Sequence, residues 1–235
     1  MKKISILIVF FITSLGFAQN NTAFFEKADA FFKAYVTNGR VHYDKIKADS
    51  TTLNELLAMI AGAKVSKANK NDFQAFYINA YNISVIKGIV DKYPTKSPLN
   101  IGGFFDNKNY TVAGQKVSLN GIEKGILFKA YPNEARFHFV LVCAGLGCPP
   151  IISKAYKAST LEAQLTKQTK LALNDPNFIR VDGKKTKISQ IFEWYAKDFK
   201  VHGSVKEFIN KYRDTKLPED TKLSFYTYDW ALNKA

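Results

Sequence analysis

Asn71-Asp-Phe-Gln-Ala-Phe-Tyr-Ile-Asn-Ala-Tyr-Asn-Ile-Ser-Val-Ile-Lys-Gly-Ile-Val-Asp-Lys-Tyr93 carries the strongest periodic pattern in the chain. Phe73, Phe76, Tyr77, Ala80, Tyr81, Ser84, Val85 and Ile89 recur at three- and four-residue spacing and predict one helical face. Ile78, Asn82, Ile83, Ile86 and Val90 fill much of the other face. A helix apolar on both sides belongs at the centre of a domain. Pro94 stops it. Asn79 and Asn82 lie within this apolar pattern, and a buried amide without partners costs on the order of 1–3 kcal/mol. Each must therefore tie down a neighbouring loop or present its amide to a substrate.

Downstream, Glu134-Ala-Arg-Phe-His-Phe-Val-Leu-Val-Cys-Ala-Gly-Leu-Gly-Cys-Pro-Pro150 holds both cysteines of the chain and one of its three histidines. Phe137 to Val142 is an apolar run that predicts one buried strand, followed by a Gly-containing loop. Side chains alternate along a strand, so His138 and Cys143 face opposite sides of a regular one. They meet only if Cys143 lies past the strand end, where Ala144-Gly145 lets the chain turn.

Short helices and hairpins flank these two stretches. Residues 21–35 predict a helix through Phe24, Phe25, Ala28, Phe31, Phe32 and Tyr35, ended by Asn38-Gly39. Val41-His42-Tyr43 reads as extended. Leu53 to Ala61 predicts a second helix, with Thr52 and Glu55 at capping-box spacing. Tyr110 to Val117 and Phe178 to Ile188 read as hairpins. Ser118 is placed to cap a helix through Leu119, Ile122 and Ile126. Helices are expected at Leu161 to Leu173, through Ile191, Phe192, Tyr195 and Phe199, and at Val205 to Tyr212. Leu223 to Trp230 alternates as a final strand. The sum is an α+β fold: a mainly helical single domain around a small mixed or antiparallel sheet.

The N-terminus has a different character. Lys2 and Lys3 precede an apolar segment from Ile4 to Phe17, and Gly16-Phe17-Ala18 is a small-x-small cleavage site. Residues 1–18 therefore read as a cleaved signal peptide. The segment is short for a membrane span, and no Cys follows it to carry a lipid anchor. Export, periplasmic or secreted, is expected. The remaining chain divides into a helical lead-in at 19–68, a core at 69–200 and an extension at 201–235 packed on the same domain.

The formal net charge is +14. Basic proteins attract polyanions, but these lysines are scattered without a basic run. An exported chain also meets little nucleic acid. A solvated basic surface is expected, with an envelope peptide or a polyanionic envelope polymer as the partner and no nucleic acid.

Phe76-Tyr-Ile-Asn-Ala-Tyr-Asn82, Ser118-Leu-Asn-Gly-Ile-Glu123, Arg136-Phe-His-Phe-Val-Leu-Val-Cys143, Cys148-Pro149 and Ile191-Phe-Glu-Trp-Tyr195 occur in this order. Together they resemble the domain of unknown function 547 family over roughly Asp72 to Phe199. Weaker echoes lie at Val41-His42-Tyr43 and Tyr228-Asp229-Trp230. The family is uncharacterised, so the resemblance implies no activity. Its Ile-Glu-His segment reads Ile122-Glu123-Lys124 here, which removes an imidazole. A distant papain-like or transglutaminase-like relationship is an analogy of fold only.

Two functions of different class remain open. In the first, Cys143 is a thiolate nucleophile, His138 its base, and Glu123 an orienter, with Asn79, Asn82 and Arg136 binding substrate. The protein is then a thiol-dependent hydrolase or acyl transferase acting on peptide or amide-linked envelope material. In the second, Cys143 and Cys148 form a disulfide and the chain is a non-catalytic envelope binding module. A redox role is a third reading, although Cys-x4-Cys lacks thioredoxin-type spacing. The same pair lies at the edge of zinc spacing with no second pair, so no metal and no cofactor are expected. Trp194, Tyr195 and Trp230 read as core or interface aromatics, or as a sugar platform if exposed.

Overall fold

The structure, a computed structural model, describes residues 21–235. The predicted signal peptide lies outside them. Helix α1 spans residues 21–35, and its Phe24, Phe25, Ala28, Phe31 and Phe32 are all buried. A two-residue hairpin, β1 (Val36–Thr37) and β2 (Arg40–Val41), turns through Asn38 and Gly39 at φ 49° and 75°. Two positive φ angles in succession mark the primed turn that matches strand twist. The segment after it is a helix, α2 (Tyr43–Ala48), and not a continued strand. Helix α3 (Thr51–Gly62) follows, without a side-chain cap at its start. The capping box predicted at Thr52 and Glu55 is not formed.

Helix α4 (Lys70–Val90) is the axis of the molecule. Asn69 caps it by accepting the Asp72 amide at 3.2 Å. From Phe73 to Ile86 every residue is buried, which matches the two-sided apolar pattern. Helices α2 and α3 pack on it, as do the residues that follow the next hairpin. That hairpin, β3 (Asn109–Val112) and β4 (Gln115–Ser118), again turns through two positive-φ residues, Ala113 and Gly114.

Past β4 the chain forms a π-helical segment, Gly121–Phe128, in place of the predicted α-helix. Ser118 Oγ accepts the Gly121 amide at 3.1 Å, so the serine does hold the entry to the turn. A Cβ on Gly121 would lie 2.5 Å from Val117 Cγ2. Glycine is what lets the segment fold back on its hairpin.

The run 137–142 is not a strand. Ala135–Phe139 is a 3-10 helix, and the chain then continues as irregular backbone. An apolar run buried on all sides has no period that separates strand from helix. Among the described residues no strand pairs with this run; a side chain does the pairing instead. Asn82 Nδ2 donates to the Val140 carbonyl at 2.9 Å, and its Oδ1 accepts the Val142 amide at 2.9 Å. The asparagine thus supplies the donor and acceptor of a neighbouring strand. Phe137 packs in the core built around α4, while Phe139 packs in a second cluster with Phe178, Phe192, Phe199 and Phe208. The 3-10 turn therefore joins the two halves of the core.

Helix α5 (Leu161–Asn174) matches its predicted span. Its Thr160 N-cap accepts no backbone amide; the hydroxyl donates to Gln164 Oε1 of the same helix at 3.0 Å. The sheet that follows has order β5-β6-β7: β5 (Ile179–Asp182) is antiparallel to β6 (Lys185–Ser189), and β7 (Lys222–Tyr226) is parallel to β6. The predicted helix through Phe199 is broken at Tyr195 into α6 (Ile191–Trp194) and α7 (Ala196–Lys200). Helix α8 (Val205–Tyr212) carries Phe208 into the second cluster. The final strand ends at Tyr226, short of Trp230. The fold is α+β in a single domain, its strands divided among two hairpins and one mixed sheet. Among the described residues, no helix is long and apolar enough to cross a membrane.

Candidate functional site

Where the two halves of the core meet, a cavity of about 420 Å³ opens, with Glu123, His138, Cys143 and Cys148 in its wall. That volume lies in the range of small-ligand sites. Tyr81, Tyr195, Tyr228, Trp194 and Trp230 line it as well. Its contributors come from the central helix, the π-helical segment, the 3-10 turn, the cysteine loop, α6 and the C-terminal segment.

Glu123 is buried. Desolvation raises its carboxyl above the usual glutamate value of 4.5. The nearby His138 and Lys124, and hydrogen bonds from the Tyr195 and Tyr81 hydroxyls, oppose that shift. The two phenols answer in kind: burial and the neighbouring Glu123 raise both. Both therefore remain protonated donors at neutral pH.

His138 sits between aromatic faces. Its ring lies 4.8 Å from Phe128 and 4.1 Å from Tyr195, centroid to centroid. Nε2 is 2.9 Å from Asp198 Oδ2. This carboxylate fixes the orientation of the imidazole. It comes from α7, which begins just past the break of the helix at Tyr195. Tyr195 itself serves both groups, packing its tilted ring on His138 and donating to Glu123.

Cys143 and Cys148 are joined by a disulfide, with their Cα atoms 6.4 Å apart. A bridged Cys143 is not a thiolate, so nucleophilic use of it requires that the bond first be opened. The Cys143 amide donates to the Cys148 sulfur at 3.0 Å. The Tyr228 hydroxyl lies 2.9 Å from the Cys148 sulfur and 3.0 Å from that of Cys143. The loop between the cysteines is stitched to the C-terminal segment. Leu146 N–H donates to the Ala231 carbonyl and Gly147 N–H to the Asp229 carbonyl, each at 2.8 Å. A Cβ on Gly147 would stand 2.9 Å from the Tyr228 ring. The ring is pressed flat on bare backbone.

Trp194, Tyr228 and Trp230 form the aromatic wall. The two indoles stack 6.0 Å apart at 23°, and Tyr228 lies 4.7 Å from Trp230. Trp194 is 45 % exposed, a large apolar surface left to solvent at the cavity mouth. Asp106 and Asn120, hydrogen-bonded to each other, and Lys124 complete the polar rim.

The other residues considered as substrate binders stand elsewhere. Asn82 is committed to Val140 and Val142. Asn79 is committed to Tyr156: its Oδ1 accepts the Tyr156 amide at 3.0 Å, and its Nδ2 donates to the Tyr156 carbonyl at 2.7 Å. Neither amide lines the cavity. Asn82 instead fixes the chain just before Cys143, and Asn79 fixes the segment at Tyr156. Arg136 faces away, with its guanidinium held by Glu134 at 2.6 Å and Glu162 at 2.9 Å, and by Thr166. It fastens the 3-10 turn to α5.

Asp198 and Tyr228 were not singled out from the sequence. Asp198 is one acidic residue among many on a basic chain, separated from His138 by 60 positions. Tyr228 gave a faint signal as part of Tyr228-Asp229-Trp230. Among the described residues, no group of three or more His, Cys, Asp or Glu could hold a metal ion.

Residues 65–171 match the family described as "Protein of unknown function, DUF547", the family that the sequence landmarks resemble. The match includes the Asn79 and Asn82 helix, Glu123, His138 and both cysteines. It ends before Tyr195 and the C-terminal segment that complete the cavity, and before Asp198, which holds His138. No curated protein and no solved structure matches the chain.

Proposed function

We propose that the chain acts outside the cytoplasm as a binding module for a glycan segment of the cell envelope, held in the aromatic-walled cavity with its cysteines bridged. The observation that carries this reading is the pairing of an exposed indole platform with a buried carboxyl. Sugars present apolar C–H faces and polar edges, which suit an aromatic face beside fixed hydrogen-bonding groups. Trp194 and Trp230 offer the face; Glu123, Asp106, Asn120 and Lys124 offer the polar contacts. Two carboxyl side chains and one lysine at the rim and floor disfavour a polyanion and suit a neutral or amine-bearing sugar. The disulfide keeps the floor rigid, which reduces the ordering cost of binding.

Soluble N-acetylglucosamine oligomers are the probe. Titrated against the bridged protein under non-reducing conditions, they are expected to give a saturable change in tryptophan fluorescence. Trp230→Ala should abolish it, and alkylating agents should leave it unchanged. A flat titration with folded protein would overturn the reading.

A thiol-dependent hydrolase or acyl transferase is the second reading. It is favoured by one observation, that Cys143, His138 and Glu123 line the same cavity. It requires the bridge to be reduced before turnover. Catalysis that begins only after reduction and stops on alkylation of Cys143 would select it.

A further inference from the structure

We propose that the Cys143–Cys148 bridge is an asymmetric thiol-exchange site, opened by small thiols that attack Cys143 and expel Cys148. This goes beyond ligand binding and does not depend on it. Both sulfurs line the cavity, so a thiol of a few heavy atoms can reach them from solvent.

The asymmetry lies in the hydrogen bonds. A disulfide opens when a thiolate attacks one sulfur and the electron pair of the S–S bond leaves on the other. The sulfur that better holds the negative charge is the better leaving group. Cys148 Sγ receives the Cys143 backbone N–H at 3.0 Å, a donor fixed by the chain itself. It also stands 2.9 Å from the Tyr228 hydroxyl. Among the described residues, Cys143 Sγ meets only the Tyr228 hydroxyl, at 3.0 Å, and that group has a single hydrogen to give. Burial keeps Tyr228 protonated, so it remains a donor through neutral pH. Two donors can converge on Cys148 and at most one on Cys143.

The step balances without any external oxidant. An incoming thiolate forms a new S–S bond to Cys143, the Cys143–Cys148 bond breaks, and Cys148 departs as a thiolate. One disulfide is exchanged for another, and the negative charge moves from the small thiol to Cys148. The loop backbone stays pinned by Leu146 and Gly147 to the C-terminal segment, so the amide donor remains in place as the bond opens.

The test is a short exposure of the oxidised protein to 2-mercaptoethanol, quenched with N-ethylmaleimide and mapped by peptide mass spectrometry. The expected product carries mercaptoethanol on Cys143 and the maleimide on Cys148, in about tenfold excess over the reverse arrangement. Tyr228→Phe keeps the ring and deletes only the hydroxyl. It is expected to slow opening and reduce that excess by about threefold, with the amide preference remaining. Circular dichroism of the variant confirms that it is folded. An even distribution of the adduct in the wild type, or a majority on Cys148, overturns the proposal. So does a Tyr228→Phe variant that opens at the wild-type rate with the same ratio.

Discussion

Asn82 holds the backbone of Val142 as a neighbouring strand would, accepting its amide at 2.9 Å while donating to the Val140 carbonyl. One side chain in the middle of a buried helix therefore fixes the chain just before Cys143. Helix α4 has a second such residue, Asn79, one turn earlier and bound to Tyr156. The segment that Asn82 ties down enters the cavity wall at Leu141 and Cys143.

Replacing Asn82 tests this directly. Asn82→Leu leaves the Val140 carbonyl and Val142 amide buried without partners, at a cost of about 2–4 kcal/mol. Urea denaturation should show that loss. Asn82→Asp keeps the acceptor but removes the donor and introduces a buried charge, so it should be no better at neutral pH. A loss under about 0.5 kcal/mol in the leucine variant would mean that the loop is held by other contacts.

Glu123 predicts a pH dependence of stability. Burial raises its folded-state pKa above the ordinary value of 4.5, despite the opposing influence of His138, Lys124, Tyr195 and Tyr81. The folded state then binds its proton more tightly than the unfolded chain does. The favourable contribution is full below the ordinary value and is lost as pH rises through the folded one. Glu123→Gln removes that titration. Denaturation of both proteins from pH 4 to 8 should show the variant gaining on the wild type as pH rises. A difference constant with pH would contradict the assignment.

Much of the fold is legible in the sequence, and the exceptions share a cause. The pattern from Phe73 to Val90 reports a buried helix because both its faces are apolar. Gly114 and Gly183 mark their hairpins because glycine readily takes the positive φ that each turn requires. The run from Phe137 to Val142 misleads, because its backbone partner is a side-chain amide that no strand pattern can reveal. The break at Tyr195 is equally hidden, since Ile191, Phe192, Tyr195 and Phe199 keep helical spacing across it. At the site, Cys143, Cys148, His138 and Glu123 stand out by residue type and by the landmarks around them. Asp198 and Tyr228 do not. They come from elements far along the chain, and only the tertiary fold brings Asp198 to His138 and Tyr228 to the disulfide.

The stacking of Tyr228 on the cysteine loop makes Gly147 intolerant of substitution. A methyl group would meet three ring carbons at 2.9 Å. Gly147→Ala should cost about 1–3 kcal/mol and shift the near-ultraviolet circular dichroism that Tyr228, Trp194 and Trp230 produce together. An unchanged spectrum with unchanged stability would show that the ring can withdraw freely.

The central claim is that the cavity works with its cysteines bridged. Intact mass spectrometry of the protein, alkylated under non-reducing conditions before and after unfolding, addresses it most directly. The account predicts a mass about 2 Da below that of the dithiol, no alkylation in either state, and undiminished binding of N-acetylglucosamine oligomers. Two alkylatable thiols in the folded protein, with activity lost on modification of Cys143, would contradict it.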